Sequence, residues 1–407
     1  MNSKKVSLKI TPDASLRVNS ARLLANRTMI ADKPIVVLGN DREPQELSSP
    51  VVPDARSCFG PRAACLADDG RLIVSDTGHH RLLGWNSLPL LDRQAADWIF
   101  GQQFGCEGRN GNSTTSATTL NVPTGICILG SGTSSNGLAV ADAWNHRILI
   151  WHKIPEHSNV AADVVLGQKD FSGSQANHGK DSPDKDTLHW PYGVYSHGNK
   201  LFVADTGNRR VLIWNQIPQS NGEGADLVIG QTTFTNRDEN AGADPSAMSM
   251  RWPHGMTFWR GYFCVSDAGN NRILLWSGLP TSNGAPSDLV LGQADPTLVD
   301  HNQSLYWPRD STLNMPYGLT ARGDWLIVAD TANSRLLGFH AADINSKEAS
   351  ALVGQTDFHE KGDNRWQSPK QDSFCWPYGA SCNELSDILA VADSGNNRVS
   401  IWKFSHD

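Results

Sequence analysis

The sequence predicts an all-β protein. The expected fold is a six-bladed β-propeller of four-stranded antiparallel blades, its ring closed by an N-terminal strand that completes the last blade. Three observations predict it. First, one phrase recurs six times: LIVSDTGHHRLLGW, LAVADAWNHRILIW, LFVADTGNRRVLIW, FCVSDAGNNRILLW, LIVADTANSRLLGF and LAVADSGNNRVSIW. Its aspartates, Asp76, Asp142, Asp205, Asp267, Asp330 and Asp393, stand 62 to 66 residues apart, and self-similarity at a fixed period marks a repeat architecture. Second, each period holds four short apolar segments separated by turn residues. Third, the sixth period stops at Trp402 after three segments, and the missing fourth lies at the other end of the chain, in Pro34-Ile35-Val36-Val37-Leu38-Gly39-Asn40.

Each element follows from local chemistry. In the third period the segments are GVYSHG, KLFVAD, RRVLIW and ADLVIG. They are too short for helices and rich in the Val, Ile, Leu and Trp that suit a pleated, buried strand. The Asp-x-Gly-Asn-x-Arg piece between the second and third is a tight turn, with Gly and Asn supplying left-handed backbone. An arginine follows each aspartate by five residues (Arg81, Arg147, Arg210, Arg272, Arg335, Arg398), and an aromatic follows each arginine by four (Trp85, Trp151, Trp214, Trp276, Phe339, Trp402). Features repeated in every period are scaffold: the arginine bonds the turn, and the aromatic packs between blades. Joining the first and last strands in one blade hides two edges that invite aggregation. Residues 34–407 are thus one propeller. Residues 1–33 form an N-terminal arm in which Arg22-Leu23-Leu24 weakly echoes the third strand, which places the arm against the last blade.

Composition narrows the function classes. The 407 residues are 39% hydrophobic and 19% charged, which excludes a disordered chain. The net charge of −7 disfavours nucleic acid as a partner. No run approaches the roughly 18 apolar residues of a membrane helix. The terminus MNSKKVSLKITPDAS carries no apolar run either, so neither a secretory leader nor a membrane association is expected. Seven cysteines without a Cys-x-x-Cys pair suggest free thiols and a cytoplasmic location.

At this level of detail the repeated apolar-Asp-x-x-Asn-x-Arg-apolar phrase resembles the NHL repeat, and residues 34 to about 404 resemble a six-bladed NHL propeller. The resemblance implies a rigid disc that works from one end of its channel. In the peptide-amidating lyases, which are six-bladed propellers of this type, histidines at the channel mouth bind zinc while Tyr and Arg assist catalysis. One departure is length, since a compact blade needs only about 40 residues.

The surplus lies in six connectors of 21 to 23 residues between an apolar segment ending in Gly-Gln (Asn40 in the first case) and the next Pro-x-Gly. All emerge on one face, with the Asp-Arg turns. Their near-equal length reads as bracing at their bases, with their tips left open for binding. The x of Pro-x-Gly gives one residue per blade at the channel mouth: Arg62, Thr124, Tyr192, His254, Tyr317 and Tyr378. The frame is constant while these residues vary, as expected of a site on a scaffold. They offer a cation for a carboxylate or phosphate, three phenols and one group titrating near neutrality. The plainer reading is that tyrosine recurs to cap the inner strands. Trp190, Trp252 and Trp376, just before the prolines, are placed to line the wall; Trp307 precedes a proline elsewhere.

The leading functional reading is a binding propeller that holds a small molecule or a protein at the channel mouth and connector face. The alternative is a lyase or hydrolase, with Arg62 binding an anion and His254 or a tyrosine trading protons. Only His254 stands in the column where the lyases hold zinc, so no metal and no cofactor are expected. Cys65 and Cys127, on equivalent rungs of adjacent blades, read as small apolar fillers.

Overall fold

The repeated segments form strands, and the described parts of connectors two to six each hold a single 3-10 turn. The structure is a computed structural model that describes residues 22–41, 52–102, 105–106, 108–130, 137–383 and 386–405. The first strand is β1 (Val36–Gly39). Blade one contains β2 (Ala63–Leu66), β3 (Leu72–Asp76), β4 (Arg81–Trp85) and β5 (Trp98–Phe100). Blade two contains β6 (Pro123–Leu129), β7 (Gly137–Asp142), β8 (Arg147–Trp151) and β9 (Val164–Leu166). Blade three has β10 (Pro191–His197), β11 (Lys200–Asp205), β12 (Arg210–Trp214) and β13 (Leu227–Ile229). Blade four has β14 (Pro253–Trp259), β15 (Tyr262–Asp267), β16 (Arg272–Ser277) and β17 (Leu289–Leu291). Blade five has β18 (Pro316–Arg322), β19 (Trp325–Asp330), β20 (Arg335–His340) and β21 (Ala351–Val353). Blade six takes β22 (Pro377–Cys382), β23 (Ile388–Asp393) and β24 (Arg398–Lys403) from the chain's end and β1 from its beginning, in the order β1-β24-β23-β22.

The ring closes as the sequence predicts. Strand β1 runs antiparallel to β24, with Val36 opposite Ile401 and Gly39 opposite Arg398. Gly39 has φ +85°, and a Cβ there would lie 2.5 Å from the Asn397 carbonyl oxygen, so only glycine lets the two strands part at this point. Ahead of β1, the described part of the arm crosses the seam between blades five and six. Phe358 N donates to the Leu23 carbonyl, Asn26 and Arg27 N to the Ser350 carbonyl, and Ala31 N to the Lys403 carbonyl. Met29 and Ile30 are buried among residues of both blades. The contact is therefore shared with blade five rather than confined to the last blade; residues 1–21 lie outside the described part.

The core is divided rather than central. Six apolar clusters are found, one between each pair of adjacent blades. The middle strands of each blade are covered on both faces, which is why they read as continuous apolar runs. The aromatic column is buried here, and the indoles of Trp85, Trp151, Trp214 and Trp276 donate to the carbonyls of Gln94, Val160, Glu223 and Ala285.

The Asp-Arg turns brace the connectors. Each arginine Nε donates to the Oδ2 of its aspartate at 2.7 to 2.9 Å, with both side chains buried. The other aspartate oxygen accepts a backbone N–H from the end of the incoming connector at 2.6 to 2.8 Å. The remaining guanidinium nitrogens are directed at connector carbonyls, except Arg81 Nη1, which has no partner among the described residues. In blade three, Arg210 donates to Asp184 and Thr187 in the connector ahead of it and to Phe234 in the one behind. Every charge is thus matched inside a dry interface, the condition under which burying it is tolerated.

Candidate functional site

A β-bulge aims the x residues. In blade three Pro191 pairs with Asp205 and Gly193 with the very next residue, Ala204, so Tyr192 is the extra residue. Blade six repeats this between Pro377 and Gly379 around Tyr378. A bulge bends the strand and redirects the side chain, here toward the axis. The glycine that follows is required by the neighbouring blade: a Cβ on Gly193 would lie 1.8 Å from the His254 carbonyl oxygen. The inner strands pack so closely around the axis that backbone meets backbone at this level.

Five of the six x side chains meet in a closed ring. Tyr192 lies 4.9 Å from His254, His254 4.4 Å from Tyr317, and Tyr317 4.3 Å from Tyr378, ring centre to ring centre. The Arg62 guanidinium completes the circle, 4.5 Å from the Tyr378 ring and 5.4 Å from that of Tyr192. Such contacts are attractive to a cation, by about 0.5–2 kcal/mol each. The sixth residue, Thr124, stands behind the ring. It is buried, and its hydroxyl donates to the Tyr192 carbonyl at 2.9 Å. Because threonine is short, Arg62 and Tyr192 can meet across blade two.

Burial sets the charges. His254 is 8% exposed, and desolvation, with the Arg62 charge adding to it, pushes its pKa down to about 3 against the pull of its bond to the Trp252 carbonyl. That bond, 2.9 Å from Nδ1, makes Nδ1 the donor and leaves Nε2 as an acceptor. The sequence-based expectation of a group titrating near neutrality is not met here. Burial also pushes Tyr317 and Tyr378 above the usual phenol range, so both remain hydrogen-bond donors. Arg62 keeps its charge: burial opposes it, but the Tyr378, Tyr192 and Tyr317 phenols outweigh that. Its Nη1 is buried without a hydrogen-bond partner among the described residues.

Next to the ring lies a cavity of about 660 Å³. Its lining is made of the six inner strands and extends to Asp68, Gly130, Gly198 and Asn383, in the hairpins that join first to second strands. The sequence places the opening on the connector side, whereas these lining residues run to the opposite face. Trp190, Trp252 and Trp376 do not line the cavity; they stand 39 to 45% exposed on the connector side of the ring. Cys65, Cys127 and Cys382 do line it. Burial raises the Cys65 thiol to about 11 and the Cys127 thiol well above its ordinary range, so neither is a ready nucleophile. Among the described residues no group of three His, Cys, Asp or Glu side chains is disposed to hold a metal, and no helix is long and apolar enough to cross a membrane.

Two further networks escape a reading of single columns. Connector asparagines Asn110, Asn177, Asn240, Asn302 and Asn364 accept at 2.8 to 2.9 Å from the turn asparagines Asn145, Asn208, Asn270, Asn333 and Asn396. Their spacing of eight or nine residues after the Gly-Gln glutamine was the available signal. The second network involves the residue before each Pro-x-Gly (Pro-Arg-Ala in blade one). Gly60, Val122, Trp190, Met315 and Trp376 have φ of 48° to 55°. Each donates its N–H to a side chain of the preceding blade's turn: Asn397, His80, His146, Asn271 and Ser334. Blade four differs because the corresponding residue, Arg209, carries only donors. There Trp252 does not adopt positive φ, and its carbonyl accepts from both Ala268 N and His254 Nδ1. The blade without the acceptor is the one that fixes the histidine tautomer.

Six four-stranded sheets around an axial cavity with one non-uniform side-chain ring define a six-bladed β-propeller with a candidate site on its axis. No family model matches the chain. It is 24% identical over 349 residues to NHL repeat-containing protein 2 of Homo sapiens and 25% identical over 350 residues to NHL repeat-containing protein 2 of Bos taurus. Each match covers 81% of this chain and 44% of the relative, so the chain spans less than half the length of these curated relatives. Among solved structures, Kuenenia stuttgartiensis hydrazine synthase is similar with a TM-score of 0.51 at 9% identity, over 91% of this chain and 100% of that one. A protein of unknown function from Bacteroides thetaiotaomicron VPI-5482 is similar with a TM-score of 0.51 at 11% identity, over 93% of this chain and 76% of that one. At such identities these two speak for the fold alone. The repeat phrase, the ring of six blades and the relatives together support an NHL-repeat β-propeller. That fold supports a binding or scaffold role in general terms.

Proposed function

We propose that this propeller is a binding module that holds an anionic small molecule in its channel, against the ring of Arg62, Tyr192, His254, Tyr317 and Tyr378. One observation carries the reading: a buried guanidinium nitrogen without a hydrogen-bond partner among the described residues, beside a cavity of about 660 Å³. A buried cation lacking a carboxylate is costly, and an anionic ligand removes that cost. The volume falls within the usual range for small-molecule sites, about 300–1,000 Å³. The lyase or hydrolase reading needs a group that trades protons near neutral pH. His254, at about 3, and Tyr317 and Tyr378, pushed above their ordinary range, are poorly suited to it. Seven free thiols support placement in a reducing compartment such as the cytoplasm.

The test is ligand capture. Wild type and Arg62→Met are incubated with a metabolite extract, washed and denatured, and the released small molecules are compared by mass spectrometry. An anion should leave with wild type and be depleted at least about tenfold with Arg62→Met, the loss expected from one charged hydrogen bond. Equal release from two equally folded proteins overturns the reading.

A further inference from the structure

We infer that the channel ligand is a monocarboxylate with an apolar body, and that it enters from the face opposite the long connectors. The inference rests on the proposed channel site and goes further by fixing the charge, shape and route of the ligand.

The charge follows from what lines the cavity. Among the described residues, Arg62 is the only Lys or Arg in the lining, and His254 is neutral at any pH near neutrality. Among the described residues the one lining carboxylate is Asp68, which lies past the other end of the inner strand and accepts from Asn383 Nδ2 at 2.8 Å. Asp68 stands six positions on from Arg62, past the end of β2, at most roughly 20 Å away at about 3.3 Å per residue. The ring end therefore offers a single positive charge. A monoanion matches it, whereas a phosphate monoester brings about −1.5 to −2. The excess would sit unpaired in a desolvated site, which costs several kcal/mol.

The shape follows from the donors and the walls. A planar guanidinium fits a two-oxygen carboxylate, and the Tyr317 and Tyr378 phenols, hydrogen-bonded to each other, keep their protons and leave one neutral donor beside it. Among the described residues, neither a helix N-terminus nor a second Lys or Arg lines the cavity to address a third oxygen. Between ring and opening, Ile126, Ile128, Val194, Met256 and Leu319 give the wall an apolar character suited to a hydrocarbon or aromatic body.

The route follows from which end is occupied. Five contacting side chains stand across the axis on the connector side, while the lining continues to the hairpins holding Asp68, Gly130, Gly198 and Asn383. The Asp68 carboxylate at that opening repels an anionic head, so the favoured pose is head inward.

Three probes of one chain length test the inference by calorimetry at pH 7: octanoate, octyl phosphate and octanol. Octanoate should bind the wild-type protein at least about tenfold tighter than either of the others, and Arg62→Met should abolish its advantage over octanol. Octyl phosphate binding as tightly as octanoate overturns the monocarboxylate class while leaving an anion site in the channel. Octanol binding equally overturns any use of the charge. If none binds, this inference fails, and the ligand-capture experiment independently decides whether the channel holds a different anion. For the route, Ile128→Trp, or Ser381→Phe should the first not fold, should slow octanoate association about tenfold, while Trp190→Ala leaves it unchanged. The reverse pattern overturns entry from the hairpin face.

Discussion

The same repeat builds two concentric regions with opposite character. In the turns, six aspartates face six arginines, each pair buried and each remaining guanidinium bond directed at connector carbonyls. On the axis, one arginine faces three tyrosines and a histidine, with no acid beside it. Uniformity accompanies matched charge, and variation accompanies unmatched charge. The difference teaches where to look in such a protein: a residue that every blade must repeat is holding the blade together, whereas a residue that each blade chooses for itself is free to serve something else.

The comparison can be broken most forcefully in the turns. Arg210→Met removes one member of a buried pair and strands Asp205 together with the carbonyls of Asp184, Thr187 and Phe234. The expected loss is about 3–5 kcal/mol in urea unfolding. A loss no larger than that of Arg62→Met would show that the two regions do not differ as described.

A smaller effect is expected from acid. The folded pKa of His254, about 3, lies below its unfolded value near 6.5, so the unfolded chain binds the proton first. Its contribution to stability is complete above about pH 6.5 and is lost as the pH falls toward 3. His146, held at about 4 by burial and by the neighbouring His189, acts in the same direction. Wild-type stability should fall by a few kcal/mol, to order of magnitude, across that window. His254→Phe should flatten the slope and leave the His146 share, as urea midpoints measured at successive pH values would reveal. An unchanged slope would remove His254 from the account.

The smallest effect sharpens the comparison within the ring. Arg209→Asn restores to blade four the side-chain acceptor that blades three, five and six draw on. It should lower stability by only about 1 kcal/mol, since half-buried Arg209 gives up its bonds to the Gly207 and Arg237 carbonyls. It should nevertheless release the Trp252 carbonyl and alter the protonated nitrogen of His254, read from its imidazole nitrogen shifts. Unaltered shifts would mean that blade four owes its backbone to something other than Arg209.

Much of the fold was legible because the physics behind it is periodic. Asp76 to Asp393 recur on a beat, and a ring of equal blades is what a beat of four short strands builds. Strand β1 was legible for a similar reason, since Val36 to Gly39 repeat a phrase the last blade lacks. The site was legible in part: the varied column named Arg62, Tyr192, His254, Tyr317 and Tyr378, but not that they would touch, since contact across an axis depends on the bulge and on the shortness of Thr124. The state of His254 was not legible, because burial and the bond to Trp252 arise only in three dimensions. The bracing of the connector bases was legible in their near-equal length, and Arg210 and its equivalents tie them down. That the cavity lining runs from the varied column to the short hairpins was not.

Strand β1 has a consequence for the protein's birth. Asn40 Nδ2 bonds the carbonyl of Asn396, a partner 356 residues further along the chain. At about 5–20 residues per second, a ribosome needs roughly 20–70 s to make that partner after Asn40 has been added. Throughout that interval the first strand has no place to dock, and five blades can assemble before it does. The seam between first and last strands is therefore the final step of maturation, and until it forms β24 presents a bare edge. A chaperone that shields one strand for a minute would protect the whole disc.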